Sequence, residues 1–158
     1  MFARQELTRD WWDSRSGRYE IFISEIGLSE VCRGDPSAAS ARLQLLENIP
    51  VLELSDTARE LAHELVRRVP LPPKAAADAL HIALATVSGM DYLLTWNFTP
   101  IANATLRKHI DSTCKDLGLQ MPIICTPEEL KSAFTAHVGA DAGHEPDCCW
   151  ASFSARSD

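Results

Sequence analysis

Four short apolar runs alternate with stretches of helical period, and this alternation constrains the fold more than any other feature of the chain. The runs are "YEIFIS" (19–24), "IPVLEL" (49–54), "DYLLTW" (91–96) and "PIICT" (122–126). They are rich in β-branched and aromatic residues and lack a regular polar alternation, as strands covered on both faces do. Helical stretches lie around them. Residues 2–14 form an amphipathic period with Ala3, Leu7 and Trp11 four apart; 25–33 ends at Gly34. Asp35-Pro36 opens a helix to about 48 with Ala39, Leu43 and Leu46 inward, and 56–69 carries the capping-box spacing Thr57-x-x-Glu60. Residues 75–88 end at Gly89, 101–117 end at Gly118, and Thr126-Pro127-x-Glu129 caps a last helix. Strand–helix alternation of this kind predicts an α/β sandwich with a mainly parallel sheet. Ligands in such folds bind at the carboxyl ends of strands.

At 158 residues the chain fits one core. No segment reaches the roughly 18 apolar residues of a membrane span. The first residues, "MFARQELTRDWWDSR", are charged and hold no apolar signal core, so a cytoplasmic protein without a membrane partner is expected. Five cysteines without a CxxC pair argue against a disulfide framework, and His144 with Cys148 and Cys149 lacks the second ligand pair of a zinc site. The formal net charge is −7, whereas a protein that binds nucleic acid by bulk charge should be basic. Any attraction to RNA must therefore be local or supplied by bound cations. From about residue 134 the chain turns rich in Ala, Gly, Asp and Ser without an apolar period. The expected organisation is a domain over 1–133 and a disordered acidic tail over 134–158.

Dinucleotide-binding, P-loop and nucleophile-elbow signatures are absent from the sequence. Two acids stand out instead. Asp78 opens an otherwise apolar helix whose Ala75, Ala79 and Ala83 form a small-residue stripe suited to close packing. An acid facing such packing must be paired, capped or bound to a cation, although an Asp in a first helical turn also complements the helix dipole. His81, one turn later, reads as a hydrogen-bonded structural residue rather than a ligand. Glu30 shares a helix face with Ile26 and Gly27, and its ordinary alternative is a surface pair with Arg33.

Three pieces carry a resemblance: "ISEIGLSEVCRGDP" (23–36), "DALHIALATVSGMDYLLTWNFTPIANA" (78–104) and "TPEEL" (126–130). Together they resemble the PIN-domain proteins, in particular the branch that includes VapC-type toxins of toxin–antitoxin pairs. The similarity covers residues 1 to about 133, and the 78–104 block is its most specific part. The resemblance implies a three-layer α/β/α sandwich with a mainly parallel sheet. It also implies an endoribonuclease that cuts single-stranded RNA with Mg²⁺ or Mn²⁺, with an antitoxin partner and a homodimer as further expectations. Carried over by position, Glu30 and Asp78 are catalytic metal ligands, Asn97 is an auxiliary ligand and Thr95 orients its loop. Arg107 and Lys108, on the following helix, are placed to meet RNA phosphates, against the alternative of a solvated face.

The chain departs from that pattern in three places. The family's first strand, central in the sheet and bearing its first acid, precedes the helix matched by residues 2–14, so strand and acid are expected to be missing. Asn97 stands where an acid is usual, and Pro100 where this branch often has His. Two carboxylates and an amide make a poor Mg²⁺ site. That keeps a second class open, a catalytically degenerate PIN-like module that binds a partner or a copy of itself.

Overall fold

The computed structural model describes residues 19–72, 75–95, 104–132 and 153–157. In chain order these form β1 (Tyr19–Ser24), α1 (Glu25–Val31), α2 (Pro36–Leu46), β2 (Val51–Leu52) and α3 (Asp56–Arg68). There follow α4 (Ala76–Val87), β3 (Tyr92–Leu94), α5 (Ala104–Asp116), β4 (Ile123–Cys125), α6 (Pro127–Ser132) and β5 (Phe153–Ser157). The expected α/β alternation is present through α6. The helix expected at 2–14, Asn97 and the His144–Cys149 cluster lie outside the described residues.

The five strands form one sheet in the order β2-β1-β5-β3-β4. β1 pairs with β2 and β3 with β4 in parallel, while β5 pairs antiparallel with both β1 and β3. Four strands thus run one way and β5 runs against them. The expectation of a disordered tail over 134–158 does not hold for residues 153–157, which are a central strand; the rest of that segment lies outside the described residues. "FSARS" has no apolar run to announce it, because its neighbours supply the bulk and its own residues are mostly small. The position between β1 and β3 is held by this segment. Where residues 1–18 lie is outside the described structure.

Alternating strand residues enter two apolar layers. On one face, Leu93 and Ile124, with Phe22, pack against Leu61, Leu65, Ile82 and Ile110 of α3, α4 and α5. On the other, Leu94, Cys125 and Ala155 meet Leu130 of α6, and Ile23 meets Val31 of α1. The stripe of Ala75, Ala79 and Ala83 is fully buried, and Ala58 and Ala62 of α3 are buried with it. Alanines at these positions let α3 and α4 approach closely, so α4 is fixed against α3 and the sheet.

Capping agrees with the sequence at one helix and differs at another. Thr126 and Glu129 form the expected reciprocal box: the Thr126 N–H donates to the Glu129 carboxylate at 2.9 Å, and the Glu129 N–H donates to Thr126 Oγ1 at 3.0 Å. At α3 the cap is Ser55, whose Oγ accepts from Ala58 N at 3.2 Å, rather than Thr57. Serine one residue before the first helical position has the extended backbone a cap requires, whereas Thr57 is already inside the helix. Leu43, expected inward, is 39% exposed, and Ala39 carries the buried face of α2.

Candidate active site

The carboxyl end of β1 runs directly into α1. Ser24, the last strand residue, has extended backbone and caps α1: its Oγ accepts from Gly27 N at 2.9 Å. A helix launched from that point carries Glu30 nearly two turns on, half-buried beside the sheet edge. α4 brings its amino end to the same edge. His81 of α4 is 5% exposed and lies between the two β1–α1 groups, with Nδ1 3.4 Å from Ser24 Oγ and Nε2 3.4 Å from Glu30 Oε1.

In the neutral ring these contacts select one tautomer. A carboxylate only accepts, so Nε2 must carry the proton that faces Glu30. In the neutral ring Nδ1 is then an acceptor, and the Ser24 hydroxyl donates to it while its lone pair caps Gly27. The chain Ser24–His81–Glu30 is a hydrogen-bonded positioning relay and not a nucleophilic triad, because Ser24 is buried and its oxygen is engaged by the helix cap. His81 is therefore the structural histidine that its place on an apolar helix indicated. Arg33, the ordinary alternative partner for Glu30, instead offers its backbone carbonyl to Arg42 Nη2 at 3.2 Å.

Asp78 lies one turn before His81, in the first turn of α4, and is half-buried. Burial pushes its carboxyl above the ordinary value, His81 pulls it down when protonated, and the negative charge of Glu30 pushes it up further. Glu30, Asp78 and His81 thus share one electrostatic environment even though they come from two helices. A carboxylate whose charged form is disfavoured by burial and by a second carboxylate is a locus where a cation is favourable.

The rest of the predicted site divides. Thr95 is buried just beyond β3, and its N–H donates to the Cys125 carbonyl at 3.1 Å, which ties the ends of β3 and β4 together. Arg107 stands in the first turn of α5, and its positive charge reaches Cys125 at the end of β4. The Cys125 thiol is nevertheless pushed up to about 12, chiefly by burial. Arg107 therefore belongs to the same carboxyl edge of the sheet as Thr95. Lys108 is exposed on α5. Ser24 is the site residue that sequence reasoning missed; its signal was a serine between a strand run and a helix period, the ordinary cap position.

The donor chemistry fits a divalent cation in part. Mg²⁺ and Mn²⁺ favour carboxylate oxygens, and Mg²⁺ keeps several waters with one or two protein carboxylates. Glu30 and Asp78 supply such a pair. Among the described residues no group of three or more His, Cys, Asp or Glu is placed to hold a metal ion. A separate open depression of about 660 Å³ lies along α3, lined by Asp56, Arg59, Glu60, His63 and Glu64, and shares no residue with this site.

Comparison with known proteins agrees with the fold. The PIN domain matches residues 3–97, well over half of the chain, which includes Glu30, His81 and Asp78. The chain belongs to the PIN-domain family, whose members are in general metal-dependent nucleases acting on RNA. No curated protein and no solved structure matches the chain. Among the described residues no helix is long and apolar enough to cross a membrane.

Proposed function

We propose that this protein is a PIN-type endoribonuclease that cuts single-stranded RNA with Mg²⁺ or Mn²⁺ held by Glu30 and Asp78, and that it serves as the VapC-type toxin of a toxin–antitoxin pair. The observation that carries the reading is that Glu30 of α1 touches His81 of α4 at 3.4 Å and lies within electrostatic reach of Asp78, one turn before His81, whose carboxyl its charge pushes up. When bound, the metal polarises the phosphodiester and lowers the pKa of a coordinated water.

The protein's own groups have separable roles. Glu30 and Asp78 supply anionic oxygens, with Asn97 as an auxiliary neutral one. His81 holds the Glu30 carboxylate in place through Nε2 and is itself held by Ser24. Arg107, at the same edge, offers a guanidinium to an RNA phosphate, and Lys108 extends that contact along α5. This local positive charge answers the net charge of −7, which opposes non-specific binding.

The test is cleavage of a single-stranded RNA by purified protein with Mg²⁺ or Mn²⁺, beside Glu30→Gln and Asp78→Asn. Cleavage by the wild type that EDTA abolishes and either variant cuts by at least a hundredfold supports the assignment. Equal activity in all three proteins overturns it. One observation favours a second reading: among the described residues no three-ligand cluster is present. A non-catalytic PIN-like module that binds an antitoxin or a second copy of itself would show tight partner binding with no metal-dependent cleavage.

A further inference from the structure

The sheet consists of two parallel pairs that share no ladder bonds with each other. β2-β1 carries Ser24 and leads into Glu30; β3-β4 follows α4, which carries Asp78 and His81. Neighbouring strands lie about 4.8 Å apart, so β1 and β3, with one strand between them, stand near 10 Å apart and cannot share ladder bonds. Among the described residues β5 is the strand that pairs with both β1 and β3. Its register is the same on both sides: Phe153 pairs with Ile23 and Leu94, Ser154 with Phe22 and Leu93, and Ala155 with Ile21 and Tyr92. That one strand therefore brings Ser24 and Thr95, the next residues along β1 and β3, level at the edge where the site lies.

The slot is shaped for this segment. Ala155 is fully buried and Ser154 is 5% exposed, so the middle of the slot admits only small side chains. Beside them the rings of Tyr19 and Tyr92, on opposite walls, meet edge to face with centroids 5.7 Å apart. Polar anchors fix the far end. Asp91 N donates to the Ala155 carbonyl at 3.1 Å, and Ser157 N donates to Asp91 Oδ2 at 2.8 Å. Arg156 Nη2 donates to the Ser88 carbonyl at 3.0 Å, Nη1 lies 3.8 Å from the Glu20 carboxylate, and the guanidinium lies 5.7 Å from the centre of the Phe22 ring. Main-chain bonds along both edges with side-chain anchors at one end are the recognition mode of strand addition.

We infer that the gap between β1 and β3 is a strand-acceptor groove for this chain's own segment Phe153–Ser157, and that filling it aligns the two halves of the sheet that carry the candidate site. The inference concerns folding and binding and does not depend on nuclease activity. An extended peptide of the same sequence is the ligand the groove takes in trans.

The test uses the full chain carrying Ala155→Pro, which removes a ladder N–H from a central strand. Its circular-dichroism melt is recorded with and without an excess of a synthetic peptide of residues 150–158. A lowered or lost cooperative transition in the variant, restored by the wild-type peptide and not by the peptide with proline at 155, is the expected result. A peptide with Arg156→Ala should restore about tenfold less efficiently, in line with loss of one charged hydrogen bond and a cation–π contact. An unchanged melt in Ala155→Pro overturns the inference, and so does a destabilised variant that the peptide does not restore. Size-exclusion chromatography of the wild type separates the remaining case: a dimer that the peptide dissociates places β5 in a second copy and overturns the assignment to the same chain.

Discussion

Replacing His81 by alanine probes whether the relay at the β1 edge is a structural join or a chance proximity. Two effects compete in size. The ring is 95% buried, and removing a core side chain of this bulk costs about 2–3 kcal/mol through lost packing and the space left behind. The two polar contacts are both 3.4 Å, at the long end of the useful range, so each adds only about 0.5 kcal/mol. Packing therefore dominates, and the sum is about 3–4 kcal/mol. For a domain of this length each kcal/mol lowers Tm by roughly 2–4 °C, so a drop of about 6–16 °C is expected. Ser24→Ala is the control. It removes the α1 cap at about 1 kcal/mol and one long contact, for a total of about 1.5 kcal/mol. Urea denaturation followed by circular dichroism measures both, with midpoint shifts at unchanged slope. His81→Ala costing no more than Ser24→Ala would refute the argument that a buried imidazole joins α4 to the β1 edge.

Other expectations follow from single features. Leu65→Ala, at a fully buried position facing α4, should cost about 3 kcal/mol in the same urea experiment. Thr126→Ala should cost about 1 kcal/mol, since it breaks one half of the capping box before α6. Asp78→Asn has a pH signature. Burial and Glu30 raise the folded-state carboxyl above its unfolded value of 3.8, so the stability it contributes is full below that value and is lost as pH rises through the folded value. In metal-free buffer the variant should therefore melt above the wild type at pH 7, with the gap closing as pH falls towards 3.8. A gap that widens on acidification would reverse the sign and refute the burial argument.

The elements legible in the sequence were those announced by their own residues. β1, β3 and β4 are apolar runs, α4 is an alanine-rich period, and Asp35-Pro36 and Thr126-Pro127 mark helix starts. Glu30 and Asp78 each had an ordinary reading, a surface pair with Arg33 and a helix-dipole acid, and it was the family resemblance that singled them out; in the structure the charge of Glu30 acts on Asp78. Ser24 and its link to His81 were harder to see, because 57 positions separate residues that only the crossover of α4 brings together. β5 was illegible for a different reason. Ser154 and Ala155 carry no strand preference of their own; the slot between Phe22–Ile23 and Leu93–Leu94 selects them for being small. Leu43 shows the reverse error, an apolar residue at helical spacing that stays exposed.

The central claim is that Glu30 and Asp78 form one cation site. Isothermal titration of Mn²⁺ into the metal-free full-length protein, beside Asp78→Asn and Glu30→Gln, tests it most directly. The account predicts one saturable site per chain in the wild type and at least a tenfold weaker affinity in each variant. Equal Mn²⁺ affinity in all three proteins, or no saturable binding to the wild type, would contradict it.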